Sequence, residues 1–192
     1  AWRGQRLPRT WMLAVLTLFA ALGTWMSYGV IFGRDAAIAK FAPLFGEQVT
    51  EEQGQIWQRV LAEIERVRGF DRVVLSSPMW NWHIPHALKA WIDIIVQPLA
   101  SFTVTADGVH VGTLGEGKPL QLILTRSSAY DGRHPELVDF QRPYLEYVFG
   151  MLGYDVAETL VAEPTTRWTP DERAAMRDDA IEMVRRAGAG LT

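Results

Sequence analysis

The feature that most constrains the fold is the alternation of short apolar runs with segments of helical periodicity. Apolar runs at 73–75, 120–125 and 156–161 are separated by longer segments in which apolar residues recur every three or four positions. Continuous apolar runs are typical of strands buried on both faces, and the longer period is typical of amphipathic helices. Strands separated by helices pair in parallel through right-handed crossovers. The sequence therefore predicts an α/β fold, a doubly wound parallel sheet in a three-layer sandwich.

Local signals at the ends of these segments support this assignment. Thr50 and Gln53 have the spacing of a capping box at the start of a helix, and residues 169–172 repeat that pattern at the start of the last helix. Asp107-Gly108 lies between two short alternating runs, which is a hairpin signal. We therefore expect a small hairpin excursion beside the main sheet.

Composition and motifs exclude several classes of function. A chain of 192 residues with a net charge of −3 is expected to form one domain and gives no electrostatic case for nucleic-acid binding. The sequence has no cysteine, which rules out disulfides and thiolate catalysis and is in keeping with a reducing compartment. The four histidines have no metal-ligand spacing with carboxylates, so no metal site is expected. Dinucleotide, NTPase and hydrolase fingerprints are also missing from the sequence.

The first 33 residues form an atypical apolar segment ahead of the domain expected at 34–192. Arg3, Arg6 and Arg9 precede an uncharged stretch, 10–33. Basic residues followed by an apolar stretch of this length are the pattern of a membrane anchor. A buried parallel strand at 14–19 followed by a loop fits the same residues. Both interpretations remain open from the sequence.

Two loops after predicted strands are the candidate ligand site. The first, 78–83, carries Pro78, Trp80, Asn81 and Trp82, and the second is the polar segment 125–130. Carboxyl ends of strands in an open α/β sheet are where ligands bind, so the two loops are expected to converge on one ligand. Aromatic faces, an amide and free backbone groups suit a planar heteroaromatic cofactor such as a flavin. The alternative for the two tryptophans is packing beneath a loop.

These residues carry a family resemblance. Pro78-Met79-Trp80-Asn81-Trp82 resembles the turn of the FMN-dependent NADH:quinone oxidoreductases and azoreductases, which have a flavodoxin-like fold. The similarity continues through 84–93, the hairpin region 102–117 and 139–153. It covers about 34–184, most of the chain.

The resemblance implies a bound FMN, NADH or NADPH as electron donor, and a quinone or azo compound as acceptor in ping-pong chemistry. It further implies a cytoplasmic homodimer. The alternative is a membrane-anchored or degenerate binding module without turnover. The cofactor would carry the chemistry, so no catalytic side chain is expected. By position, the implied cofactor-binding residues are Met79, Trp80, Asn81, Trp82, Thr125, Arg126, Ser127 and Ser128. Hydroxyls and the Arg126 side chain would face polar atoms of the cofactor.

The resemblance is incomplete in two places. Ser127 and Ser128 stand where the family has two glycines, which permit close backbone approach. The family's first strand and the phosphate loop after it have no counterpart in the sequence, and 13–19 is expected to correspond to its second strand.

We therefore expect this chain to bind FMN more weakly than an intact relative, because nothing in the sequence replaces the helix N-terminus that holds the phosphate. Isothermal titration with FMN measures this affinity. A submicromolar dissociation constant would contradict the expectation.

Overall fold

The computed structural model describes residues 32–166 and 169–189. The strands are β1 (Val73–Pro78), β2 (Phe102–Val104), β3 (His110–Gly112), β4 (Pro119–Thr125) and β5 (Asp155–Ala162). The helices are α1 (Arg34–Phe41), α2 (Glu51–Arg68), α3 (His86–Ile95), α4 (Arg142–Met151) and α5 (Pro170–Ala189), with a 3-10 turn at Ala42–Phe45. The strand and the membrane anchor considered for 10–33 fall almost entirely outside the described residues.

The main sheet of the described chain has the order β1-β4-β5, and all its pairs are parallel. Its central strand is β4, in which Leu120, Leu122 and Leu124 are fully buried and Gln121, on the opposite face, is 6% exposed. Burial of both faces explains the continuous apolar run that the sequence shows at this strand. The predicted α/β fold with a parallel sheet is confirmed.

The predicted hairpin is also present. β2 pairs antiparallel with β3, from Phe102 opposite Gly112 to Val104 opposite His110, and Gly108 in the connecting turn has φ +85°. Glycine adopts this left-handed conformation without steric cost, which explains the Asp-Gly signal. The hairpin forms a sheet of its own beside the main one.

Capping signals placed the helix starts correctly. The Thr50 hydroxyl accepts a hydrogen bond from the Gln53 N–H, and the Gln53 side chain accepts one from the Thr50 N–H. Thr169 and Glu172 form the equivalent reciprocal pair at α5. Each cap satisfies two N–H groups that the helix itself leaves unpaired.

Within 32–166 and 169–189, no helix combines the length and the hydropathy required to cross a bilayer.

The hairpin is fixed to the main domain by a close backbone contact. A Cβ atom added to Gly112 would lie 2.1 Å from the carbonyl carbon of Leu152 and 2.2 Å from the nitrogen of Gly153. These are main-chain atoms in the turn between α4 and β5, so they cannot move aside as a flexible side chain would. Gly112 therefore permits the approach of β3 to that turn.

We expect Gly112→Ala to lower the free energy of unfolding by about 1–3 kcal/mol or more, the usual cost of overpacking. Gly54→Ala is the matched control, because Gly54 lies in α2 with open space around it. Alanine there should raise stability by roughly 0.5–1 kcal/mol through helix propensity. Urea unfolding followed by circular dichroism measures both values, and equal midpoints for the two variants would contradict the packing argument.

Candidate cofactor site

The structure brings the two candidate loops together at one edge of the sheet. β1 and β4 end in register, with Pro78 opposite Thr125. The pairing continues one step beyond the strand, because the Met79 N–H donates to the Thr125 carbonyl at 2.8 Å. The first loop is therefore bonded to the second at the point where both leave the sheet.

The first loop reverses direction in a tight turn. The N–H of Trp80 donates to the carbonyl of His83 at 2.8 Å, and the N–H of His83 donates to the carbonyl of Trp80 at 3.0 Å. Both central residues have positive φ, +48° at Asn81 and +65° at Trp82. Positive φ at both positions is the requirement of a type I′ turn, which normally uses Asn followed by Gly. Asn81 suits its position, whereas a left-handed tryptophan is strained.

The strained turn presents its aromatic side chains at the surface. Trp80 is 44% exposed and Trp82 is 56% exposed, so the interpretation that they pack beneath a loop is wrong. Met79 is half-buried beside them. Strained backbone at an exposed aromatic pair is unfavourable for stability alone, which favours a binding role for this turn.

The second loop is polar, exposed and anchored through its backbone. The main chain of Arg126 makes two hydrogen bonds. Its N–H donates to the Ala162 carbonyl at 3.1 Å, and its carbonyl accepts from the Thr165 N–H at 2.7 Å. Ser127 and Ser128 are exposed, and neither has positive φ. The two serines therefore fit this backbone without strain.

Unpaired polar groups are available in both loops. Within the described part of the chain, no hydrogen bond is made by the N–H groups of Asn81, Trp82, Ser127 and Ser128, or by the Asn81 carboxamide. A flat ligand with hydrogen-bonding atoms on its edge can use such donors while its face rests on an indole. The residues present therefore fit a flavin ring.

The Arg126 side chain does not face this surface. It is 3% exposed, and its guanidinium contacts Asp139 Oδ2 at 2.7 Å and Glu163 Oε2 at 3.1 Å. Its Nε donates to Gln141 Oε1 at 3.1 Å. The sequence analysis predicted that this guanidinium faces polar atoms of the cofactor. In the structure the guanidinium instead contacts three side chains inside the protein.

The partners of Arg126 belong to the site, and sequence reasoning missed them. Gln141 is fully buried and donates from Nε2 to the Ser77 carbonyl at 3.2 Å. Asp139 Oδ1 accepts from the N–H groups of Gln141 and Arg142 at the start of α4, at 2.8 and 3.1 Å. An Asp shortly before a helix is a recognisable capping signal, whereas nothing local in the sequence marks Gln141 or Glu163. Removing one member of such a buried ion pair typically costs about 3–5 kcal/mol.

Two rings support the turn from behind. The His83 imidazole packs against Tyr144 with centroids 4.9 Å apart, and its Nδ1 accepts the Ile84 N–H at 2.7 Å. Burial first, and then the negative charge of Asp93, raise the pKa of the Tyr144 hydroxyl. The hydroxyl therefore stays neutral at physiological pH and the ring acts as packing rather than as a base.

Other site types are not supported by the geometry. Among the described residues, no group of His, Asp and Glu side chains could hold a metal ion. A cavity of about 480 Å³ lies between β5 and α5, and its lining contains none of the eight predicted site residues. The candidate site is thus an open surface between two loops, not this cavity.

The class of protein follows from this architecture and is matched by a family model. The model described as "Flavodoxin-like fold" matches residues 29–187 of the chain. Among curated relatives, the chain is 36% identical over 156 residues to the FMN-dependent NADH:quinone oxidoreductase of Nitratidesulfovibrio vulgaris, covering 81% of this chain and 74% of that protein. It is 32% identical over 161 residues to FMN-dependent NADH:quinone oxidoreductase 2 of Xanthomonas euvesicatoria, covering 81% and 73%. The chain belongs to this flavodoxin-like family of FMN-dependent NADH:quinone oxidoreductases.

Solved structures agree on the fold. An azoreductase from Bacillus anthracis Sterne superimposes with a TM-score of 0.70 at 23% identity, covering 88% of this chain and 87% of that one. An FMN-dependent NADH-azoreductase from Bacillus anthracis Ames Ancestor, solved in complex with FMN, gives 0.71 at 22% identity, covering 84% and 74%.

The strain at Trp82 predicts an inverted preference between glycine and alanine. Trp82→Gly and Trp82→Ala both delete the indole, so they differ only in the backbone. A left-handed conformation costs a non-Gly residue about 1–2 kcal/mol, and the extra entropy of glycine costs roughly 0.5–1 kcal/mol. We expect Trp82→Gly to unfold at higher urea than Trp82→Ala, by roughly 0.5–1 kcal/mol.

Trp80 supplies the matched control, because it is not among the residues of positive φ. There the order should reverse, with alanine more stable than glycine. The same order at both positions would contradict the left-handed geometry of the turn.

Proposed function

We propose that this chain is an FMN-dependent oxidoreductase that passes two electrons from NADH or NADPH to a quinone or an azo compound. The observation that carries the proposal is the bonded pair of loops, joined at Met79 and Thr125, which presents two exposed tryptophans beside unpaired backbone N–H groups. The names of the curated relatives support the same chemistry.

Each loop has a separate part in holding the cofactor. Met79, Trp80 and Trp82 offer apolar surface to the ring, and Asn81 offers its carboxamide and N–H to the polar edge. Thr125, Ser127 and Ser128 form the opposite wall, where hydroxyls and N–H groups can bond ring heteroatoms. The rigid parallel pairing beneath the loops fixes the distance between the two walls, which preorganises the site.

A bound FMN would supply the two-electron chemistry between the nicotinamide and the acceptor. The chain supplies orientation and partial exclusion of water. No side chain at the site is required to move a proton, and the neutral Tyr144 hydroxyl lies behind the turn. Donor and acceptor would use the same exposed face in succession, so we expect ping-pong kinetics.

The same surface bears on assembly and location. Phe140 is 53% exposed and Tyr147 is 68% exposed, and the Phe140 N–H bonds the Trp82 carbonyl at 3.2 Å. Exposed aromatics are enriched in protein interfaces, and Phe140 contacts the turn, which supports a homodimer with the site near the interface. A cytoplasmic location is supported by the cysteine-free sequence. The division into an apolar segment, 1–33, and an FMN-binding domain stays a prediction.

The direct test is turnover that depends on every component. Purified protein supplied with FMN should oxidise NADH when a quinone or an azo dye is present, with parallel double-reciprocal plots. NADH consumption that is the same with and without the protein would contradict the proposed function.

A substitution at the turn links activity to the site. Trp82→Ala should weaken FMN binding roughly three- to tenfold, because an aromatic contact contributes about 0.5–1.5 kcal/mol beyond its buried area. Phe45→Ala is the control, since Phe45 is an exposed aromatic in the 3-10 turn, distant from both loops in sequence. Fluorescence quenching of added FMN measures both affinities, and equal values for the two variants would place the flavin elsewhere.

A further inference from the structure

We propose that Arg126 is a positioning residue that sets the separation of the two loops and does not itself contact the cofactor. The inference rests on the proposed flavin site, and it departs from the direct role that the family resemblance implies for this position. Its basis is one buried guanidinium that donates hydrogen bonds to Gln141 and Glu163 and forms an ion pair with Asp139. The nitrogen facing Asp139, Nη2, makes this contact without the alignment of a hydrogen bond.

The guanidinium joins three segments that meet at the carboxyl edge of the sheet. Arg126 itself leads into the second loop. Glu163 follows β5, and its Oε2 also accepts the Tyr130 N–H at 3.2 Å, so the far end of the second loop is held by the same carboxylate. Asp139 and Gln141 precede α4 and bring in the third segment.

The third segment holds the tryptophan turn. Gln141 donates to the carbonyl of Ser77, at the end of β1, at 3.2 Å. Phe140, between the two Arg126 partners, donates its N–H to the carbonyl of Trp82 at 3.2 Å. The Arg126 guanidinium is thus connected to the strand that precedes the turn and to a central residue of the turn through one short stretch of chain.

The chemistry of arginine explains why this residue type holds the junction. A guanidinium has donors in a fixed planar fork and keeps its charge when buried, so it can hold two carboxylates and an amide at set directions. A lysine ammonium is a compact charge on a flexible stem and cannot reproduce that geometry. The centre of the Tyr130 ring lies 5.3 Å from the guanidinium carbon, so this ring also packs against the arginine.

The alternative is that Arg126 turns outward in the bound state and pairs with the phosphate of FMN. The two roles differ in a measurable way, because riboflavin has the same ring as FMN and no phosphate. A residue that sets the separation of the walls affects both flavins equally. A phosphate ligand affects FMN alone.

The experiment compares FMN and riboflavin affinities for the wild type, Arg126→Met, Arg126→Lys and the triple variant Arg126→Met/Asp139→Asn/Glu163→Gln. The triple variant removes both carboxylates that Arg126→Met leaves unpaired, so it keeps the test decisive if the single variant does not fold. Arg133→Met is the matched control, since it also removes one positive charge, three residues beyond the second loop, and Arg133 pairs with Asp131 at the surface.

We expect Arg126→Met and the triple variant to weaken both flavins by the same factor, roughly ten- to hundredfold, because small misplacements of a binding wall have effects of this size. The affinities of Arg126→Lys should lie between those of these variants and the wild type, and the affinities of Arg133→Met should equal those of the wild type. The proposal would be overturned if only the affinity for FMN fell. It would also be overturned if the triple variant or Arg126→Lys bound both flavins as tightly as the wild type.

Hydrogen exchange of the flavin-free protein gives a second readout. Loss of the Arg126 contacts should speed exchange at the N–H groups of Met79, Tyr130 and Phe140, and leave α2 unchanged. If the wild type binds neither flavin, the proposed function fails, while exchange still decides whether Arg126 holds the loops. Unchanged exchange at all three N–H groups would overturn the positioning role independently of flavin binding.

Discussion

The site depends on the parallel pairing of β1 with β4. Six consecutive residue pairs, from Val73 opposite Leu120 to Pro78 opposite Thr125, bring the two strands to an end at the same level. A slip of one residue would exchange the two faces of β1 and move Leu75 to the buried side now occupied by Val74, where the packing differs. The observed register places the first loop against the second.

Stability and the proposed cofactor-binding role are in conflict at the tryptophan turn. A hairpin turn with two positive φ values would be more stable with glycine at the second position, yet the chain places Trp82 there and exposes it. The cost is borne by the surrounding bonds, which include the paired Trp80 and His83 main chains and the contact of Phe140 with Trp82. An unstrained substitute would hold the loop but would remove the surface for a planar ligand.

Sequence reasoning predicted the elements well and the directions of side chains less well. Periodicity, capping boxes and the Asp-Gly turn located the helices, the strands and the hairpin because these signals act within a few residues. The exposure of Trp80 and Trp82 was left open, since a tryptophan after a strand can pack inward or outward. The direction of Arg126 was expected to be outward and is inward, because its partners Gln141 and Glu163 lie 15 and 37 residues further along the chain.

The sequence by itself determined the alternation of strands and helices, the parallel sheet and the two loops that adjoin it. These follow from the pattern of apolar residues, which reports burial directly. Only the tertiary structure decided which polar groups of those loops are free for a ligand and which are consumed inside the protein. That choice depends on buried charge: a guanidinium withdrawn from water must be satisfied by neighbours, and only the folded chain brings Asp139, Gln141 and Glu163 to Arg126.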